Sequence, residues 1–152
     1  MQLESHVLSY TSIADIARRM RDIEYAMLMT RTPQGHITGR PICNNRGEDY
    51  RGESCYFTWD DSQLVREIER DPKVALTFQG SRHILGTPGI QINVEGTASV
   101  VRDLRQFRAN WTPELNRGFE PGVHTPGLVM IKVHARRVHY WEGADEGEID
   151  VA

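Results

Sequence analysis

The sequence predicts a mainly β fold, a small six-stranded antiparallel barrel flanked by helices. Three observations carry that reading. Short runs of alternating apolar and β-branched residues recur along the chain, Gly- and Pro-rich turns separate them, and the regular strand and helix alternation of a parallel sheet is missing. With 152 residues, 39% of them hydrophobic, the chain is long enough for one core, so a single domain is expected with its body at about 11–143.

The elements follow in order. Ile13, Ile16, Ala17, Met20 and Ile23 repeat at helical spacing behind Thr11 and Ser12, which can cap the start, so an amphipathic helix opens the domain. Tyr25 to Thr30 reads as a strand, Thr32-Pro33-Gln34-Gly35 as a turn, and Ile37 to Ile42 as the return strand. Asn44 to Glu53 is polar and suits an exposed connection. Tyr56 to Trp59 is an aromatic and β-branched run that packs on a pleated sheet, and Asp60, Asp61 and Ser62 then offer three candidate helix caps. In the helix of about two turns that follows, Leu64, Val65 and Ile68 share one face, while Arg66, Glu67, Glu69 and Arg70 are expected to face water.

Pro72 disfavours helical geometry at Asp71, and Val74, Leu76 and Phe78 alternate as the next strand. A loop spans Gln79 to Gly89, and Gln91 to Val101 forms a long strand in which Gly96 permits a bend or bulge. Asp103 to Asn110 is a short helix, and Trp111-Thr112-Pro113 starts a further turn with its proline early. Leu128 to Val133 and Arg137 to Trp141 supply the last strands, and the acidic residues 144–152 are expected to lie loose at the surface.

Charge excludes several classes of partner. The formal charge is -3, and 18 basic residues are dispersed among 21 acidic ones, so no nucleic-acid or lipid-surface patch is expected. The first 25 residues contain no continuous apolar segment, which speaks against a secretory signal or membrane span and for a cytoplasmic location. Cys43 and Cys55 flank the polar loop and are expected as free thiols. The six histidines are scattered without metal-ligand spacing, and no serine sits in a nucleophile-elbow context. The strongest chemical signal is the turn after Trp59, where backbone N–H groups of a helix start meet the hydroxyls of Thr58 and Ser62. Such a turn suits an anion, and it equally describes an ordinary capped surface helix.

The same residues carry a resemblance. Gly39-Arg40-Pro41-Ile42, Tyr56-Phe57-Thr58-Trp59 with Asp61-Ser62, Asp71-Pro72-Lys73-Val74, Gln91 to Ala98, Trp111-Thr112-Pro113 and Tyr140-Trp141-Glu142-Gly143 occur in the order of the pyridoxamine phosphate oxidase-like superfamily. Within it the chain resembles the general-stress-protein branch of the FMN-binding split barrels, from about Ile13 to Gly143. The resemblance implies FMN at a homodimer interface, with its ring along Arg40, Pro41 and Ile42, its phosphate near Phe57, Thr58, Ser62 and Gln63, and Gln91 reaching it from a neighbouring strand. Arg40 is the implied cation, able to grip a phosphate by two hydrogen bonds or to stabilise a reduced flavin. One position departs from the pattern. Many members carry a basic pair after the turn serine, where this chain has Gln63 and Leu64, so either Arg40, the helix start and hydroxyls or a returning Arg66 compensates, or the site has lost FMN or shifted to another ligand. The implied function is a flavin-dependent oxidoreductase acting on an unidentified small molecule. The alternative is a non-catalytic split-barrel module that binds or buffers a flavin or another anionic aromatic ligand.

Overall fold

The computed structural model describes residues 12–46 and 49–151, so the expected capping role of Thr11, the loop residues Gly47 and Glu48, His6 and the terminal Ala152 lie outside the described residues. The opening helix α1 (Ile13–Met20) is capped by Ser12, whose side chain accepts from the Asp15 amide, and it buries Ile16, Ala17 and Met20. Strands β1 (Tyr25–Arg31), β2 (Ile37–Cys43) and β3 (Glu53–Trp59) follow, then helix α2 (Gln63–Arg70), β4 (Lys73–Gln79) and β5 (Gln91–Val101). Helix α3 (Leu104–Asn110), a 3₁₀ turn at Pro113–Arg117, the long strand β6 (Leu128–Glu142) and β7 (Asp145–Asp150) complete the chain.

The strands form one antiparallel sheet in the order β2-β1-β4-β5-β6-β3, with β7 paired to β6. Each β1 residue on the inner face is buried, Ala26, Leu28 and Thr30 alternating with outward Tyr25, Met27 and Met29. Leu76, Phe78, Ile92, Val94, Val138 and Tyr140 continue that interior, and α1 and α2 cover it with Ile16, Met20, Leu64, Val65 and Ile68. A smaller cluster, Cys55, Phe107, Leu128 and Met130, lies where α3 packs. The two ends of the sheet path, β2 and β3, do not pair with each other among the described residues, so the barrel stays open along one seam. Pro41 belongs on such an edge, because it has no N–H to give a further strand.

Between Glu95 and Gly96 the β5-β6 register shifts by a residue, as expected of that glycine. A side-chain carbon at Gly96 would sit 2.1 Å from the His134 carbonyl oxygen, so only glycine admits this approach of the two backbones.

Two expectations are corrected. The separate strands 128–133 and 137–141 are one strand of 15 residues, because the bulge lets β6 bend without breaking. The acidic tail is not loose. Residues 145–150 form β7, turned back on β6 at Gly143 (φ 60°) so that Glu142 faces Asp145 and Arg137 faces Asp150. Glu146 lies 2.8 Å from His139, Glu148 3.7 Å from Arg137, and Ile149 and Val151 pack against the core.

Candidate functional site

The seam between β2 and β3 holds a cavity of about 480 Å³, within the range of about 300–1,000 Å³ typical of small-molecule sites. One wall is β2, with Arg40, Pro41, Ile42 and Cys43; the opposite wall is β3 from Cys55 to Trp59, continuing into Ser62, Gln63 and Leu64 at the start of α2. Leu115 and Phe119, from the segment after α3, close a further side. The aromatic wall is braced edge-on: Phe57 meets Trp111 at 4.8 Å between ring centroids and Phe107 at 5.6 Å, while Trp59 lies 5.1 Å from Phe119. A flat aromatic ligand would therefore meet fixed rather than yielding surfaces.

The cap of α2 is Ser62, as one of the three expected candidates; its Oγ accepts from the Val65 amide at 3.3 Å. The helix turns Leu64, Val65 and Ile68 into the core. It also buries Glu67, 2% exposed, which was expected in water. The spacing already contained that outcome, since Glu67 follows Leu64 by three residues and shares its face. A carboxylate is tolerated there because it is fully engaged. Its Oε1 accepts from Thr30 Oγ1 at 2.6 Å and from Arg40 Nη2 at 2.9 Å, and its Oε2 accepts from Gln63 Nε2 at 2.6 Å. Burial pushes the Glu67 carboxyl up, but the hydrogen bonds from Thr30, Gln63 and Arg40 outweigh it and hold the group below its ordinary value, so it is ionised at neutral pH.

Arg40 has partners within the chain that the sequence did not reveal. Its Nη1 donates to the Leu28 carbonyl at 3.2 Å and to Thr30 Oγ1 at 2.9 Å, while Nη2 serves Glu67. The guanidinium lines the cavity and is at the same time paired with Glu67. Arg66 does not reach round: its Nη1 donates to the Asp61 carbonyl at 2.8 Å, on the exposed side of α2.

Of the eight residues singled out in the sequence, Arg40, Pro41, Ile42, Phe57, Thr58, Ser62 and Gln63 converge on this cavity. Gln91 does not line it; it opens β5, between Gln79 of β4 and Trp141 of β6. Sequence reasoning missed Trp59 and Leu115 in the wall, and Glu67 and Thr30 behind it. Leu115 carries no local signal, because the 3₁₀ turn Pro113–Arg117 brings it to β3 from more than fifty positions away. Cys43 and Cys55 are free thiols, Cys43 exposed and Cys55 buried.

Comparison with known proteins agrees with this architecture. A curated relative, protein bli-3 of Neurospora crassa, is 25% identical over 147 residues, covering 91% of this chain and 68% of its own length. The crystal structure of a Clostridium acetobutylicum protein related to general stress protein 26 superposes with a TM-score of 0.74 at 12% identity, over 90% of this chain and 92% of that one. A haem-binding protein from Mycobacterium smegmatis shares the fold with a TM-score of 0.71 at 14% identity, over 94% of this chain and 60% of that one. These structural likenesses place the fold among the split barrels, and the family model described as pyridoxamine 5'-phosphate oxidase like matches residues 11–152. With its open seam, its helix start at the end of β3 and a family match across nearly its whole length, this chain belongs to the pyridoxamine 5'-phosphate oxidase-like family.

Proposed function

We propose that the protein is a flavin-binding oxidoreductase that holds FMN in the cavity between β2 and β3, at the interface of a homodimer. The observation that carries this reading is the convergence of seven residues, chosen from sequence as flavin contacts, on one cavity of about 480 Å³ with an aromatic and aliphatic wall. Family membership supports it. When bound, the flavin supplies reversible uptake of electrons.

The chain's own contribution is to bind, orient and keep water out. Pro41 and Ile42 on one side and Phe57, Trp59 and Phe119 on the other offer a slot for the ring. Thr58 and Ser62 offer hydroxyls to the polar tail. The dimer is supported by the outward face of β1 and β2 beside the slot, where Tyr25, Met27 and Ile37 are 57%, 41% and 71% exposed. A partner would cover that face and brings a route for Gln91 to take part from the second copy. No helix among the described residues is long and apolar enough to cross a membrane.

Titration of purified protein with FMN, read by quenching of flavin fluorescence, is expected to give a saturating isotherm; no binding overturns the proposal. If FMN binds but NAD(P)H and other donors reduce it no faster than free flavin, the non-catalytic binding module replaces the oxidoreductase.

A further inference from the structure

Arg40 is the one cation among the described residues lining the cavity, and its charge is matched by Glu67 at 2.9 Å. The pair is not loosely held. Glu67 is 2% exposed, so drawing Arg40 away toward a ligand would leave a buried carboxylate without its counter-ion. Gln63 is committed too, since a carboxylate only accepts and the Gln63 amide must turn its donor end to Glu67. At the next position Leu64 is buried in the core. Beyond it Arg66 is held at the Asp61 carbonyl and does not line the cavity. Two carboxylates, Asp60 and Asp61, precede the cap, and among the described residues Asp60 is paired with Arg102 at 2.7 Å. What the turn offers an anion is reduced to hydroxyls and the first amides of α2, one of which, Val65 N, already bonds to Ser62. The ring slot, in contrast, is built from fixed apolar and aromatic surfaces.

We infer that this cavity selects its ligand by the flavin ring and not by the phosphate, so that riboflavin, which lacks the phosphate, binds as tightly as FMN. The inference rests on the flavin reading above. A phosphate gripped by an unpaired Lys or Arg gains charge-assisted hydrogen bonds worth roughly tenfold or more in affinity. Here the local charge sums to no net attraction, and the phosphate exchanges water for hydroxyls and amides at little gain.

The test compares riboflavin and FMN on the wild-type protein, each titrated by fluorescence quenching at low and high salt. Dissociation constants that agree within about threefold, with the same salt dependence, are the expected result, as is tighter riboflavin. FMN tighter by more than that margin overturns the inference while leaving the flavin reading intact. Binding of neither flavin overturns both. Leu64→Lys supplies the missing ammonium and Glu67→Gln leaves Arg40 uncompensated; either variant, once shown to be folded by its thermal transition, is expected to shift the ratio of the two dissociation constants by about tenfold in favour of FMN, whatever it does to both flavins alike. If both fold and neither shifts the ratio, the phosphate does not sit at this turn and the inference fails.

Discussion

Glu67 is the residue on which the site's floor depends. Its carboxylate joins β1, β2 and α2 through Thr30, Arg40 and Gln63, so one side chain ties the edge strand to the helix across the seam. Removing it by Glu67→Ala leaves Arg40 without its partner, and loss of one member of a buried pair costs about 3–5 kcal/mol. Chemical denaturation would register that loss as a lower midpoint. The pH dependence has a definite sign. Because the folded carboxyl titrates below its ordinary value of 4.5, its stabilising contribution is complete above that value and is lost as pH falls through the lowered folded value. Wild type is therefore expected to lose stability as pH falls below 4.5 more steeply than Glu67→Gln, whose amide does not titrate. Parallel curves for the two proteins would show that Glu67 is not ionised in the folded state.

At the level of elements, the helix caps and strand periods were legible in the sequence because they are local. Ser12 and Ser62 each accept a backbone N–H where a hydroxyl was expected to, and Asp103 caps α3 in the same way. Strand β5 runs from Gln91 to Val101 as its alternation requires. Part of what escaped depends on partners distant in sequence. Glu67 is buried because Arg40 waits on another strand; β7 escaped for a different reason, since its acidic sequence lacks an apolar alternation and only the hairpin at Gly143 shows it paired to β6. Of the site, β2 and the end of β3 were legible, whereas Leu115 and Phe119 arrive by tertiary packing alone. The bulge was legible as permission from Gly96, yet only the structure gives its necessity. Gly96→Ala would thrust a methyl group at the His134 carbonyl, forcing the β5 and β6 backbones apart and costing about 1–3 kcal/mol. Thermal unfolding checks this, and an unchanged midpoint would mean that β6 can move away freely at its bend.

The whole molecule is shaped by a sheet that does not close. Since β2 and β3 are both ends of the strand path, their seam makes the cavity, and the outer face of β2 and β1 lies directly beside it. Opposed pairs on that face, Tyr25 with Cys43, Met27 with Pro41 and Met29 with Gly39, present little charge to solvent. A contiguous apolar surface of this kind at the rim of a ligand slot fits a second copy of the chain better than solvent. The proposed dimer would couple to ligand binding, because the same strand carries both surfaces: Pro41 lines the cavity while pairing with Met27. Met27→Lys places a charge at the centre of the proposed interface on a side chain already 41% exposed, so the fold is expected to tolerate it. Sedimentation should then show a monomer where wild type is a dimer, and flavin affinity should fall by about tenfold or more as the partner's share of the site is lost. A wild-type protein that sediments as a monomer removes the dimer altogether. A monomeric Met27→Lys variant with wild-type flavin affinity would instead show that one chain holds the ligand alone and that Gln91, outside the cavity of its own subunit, has no part in it.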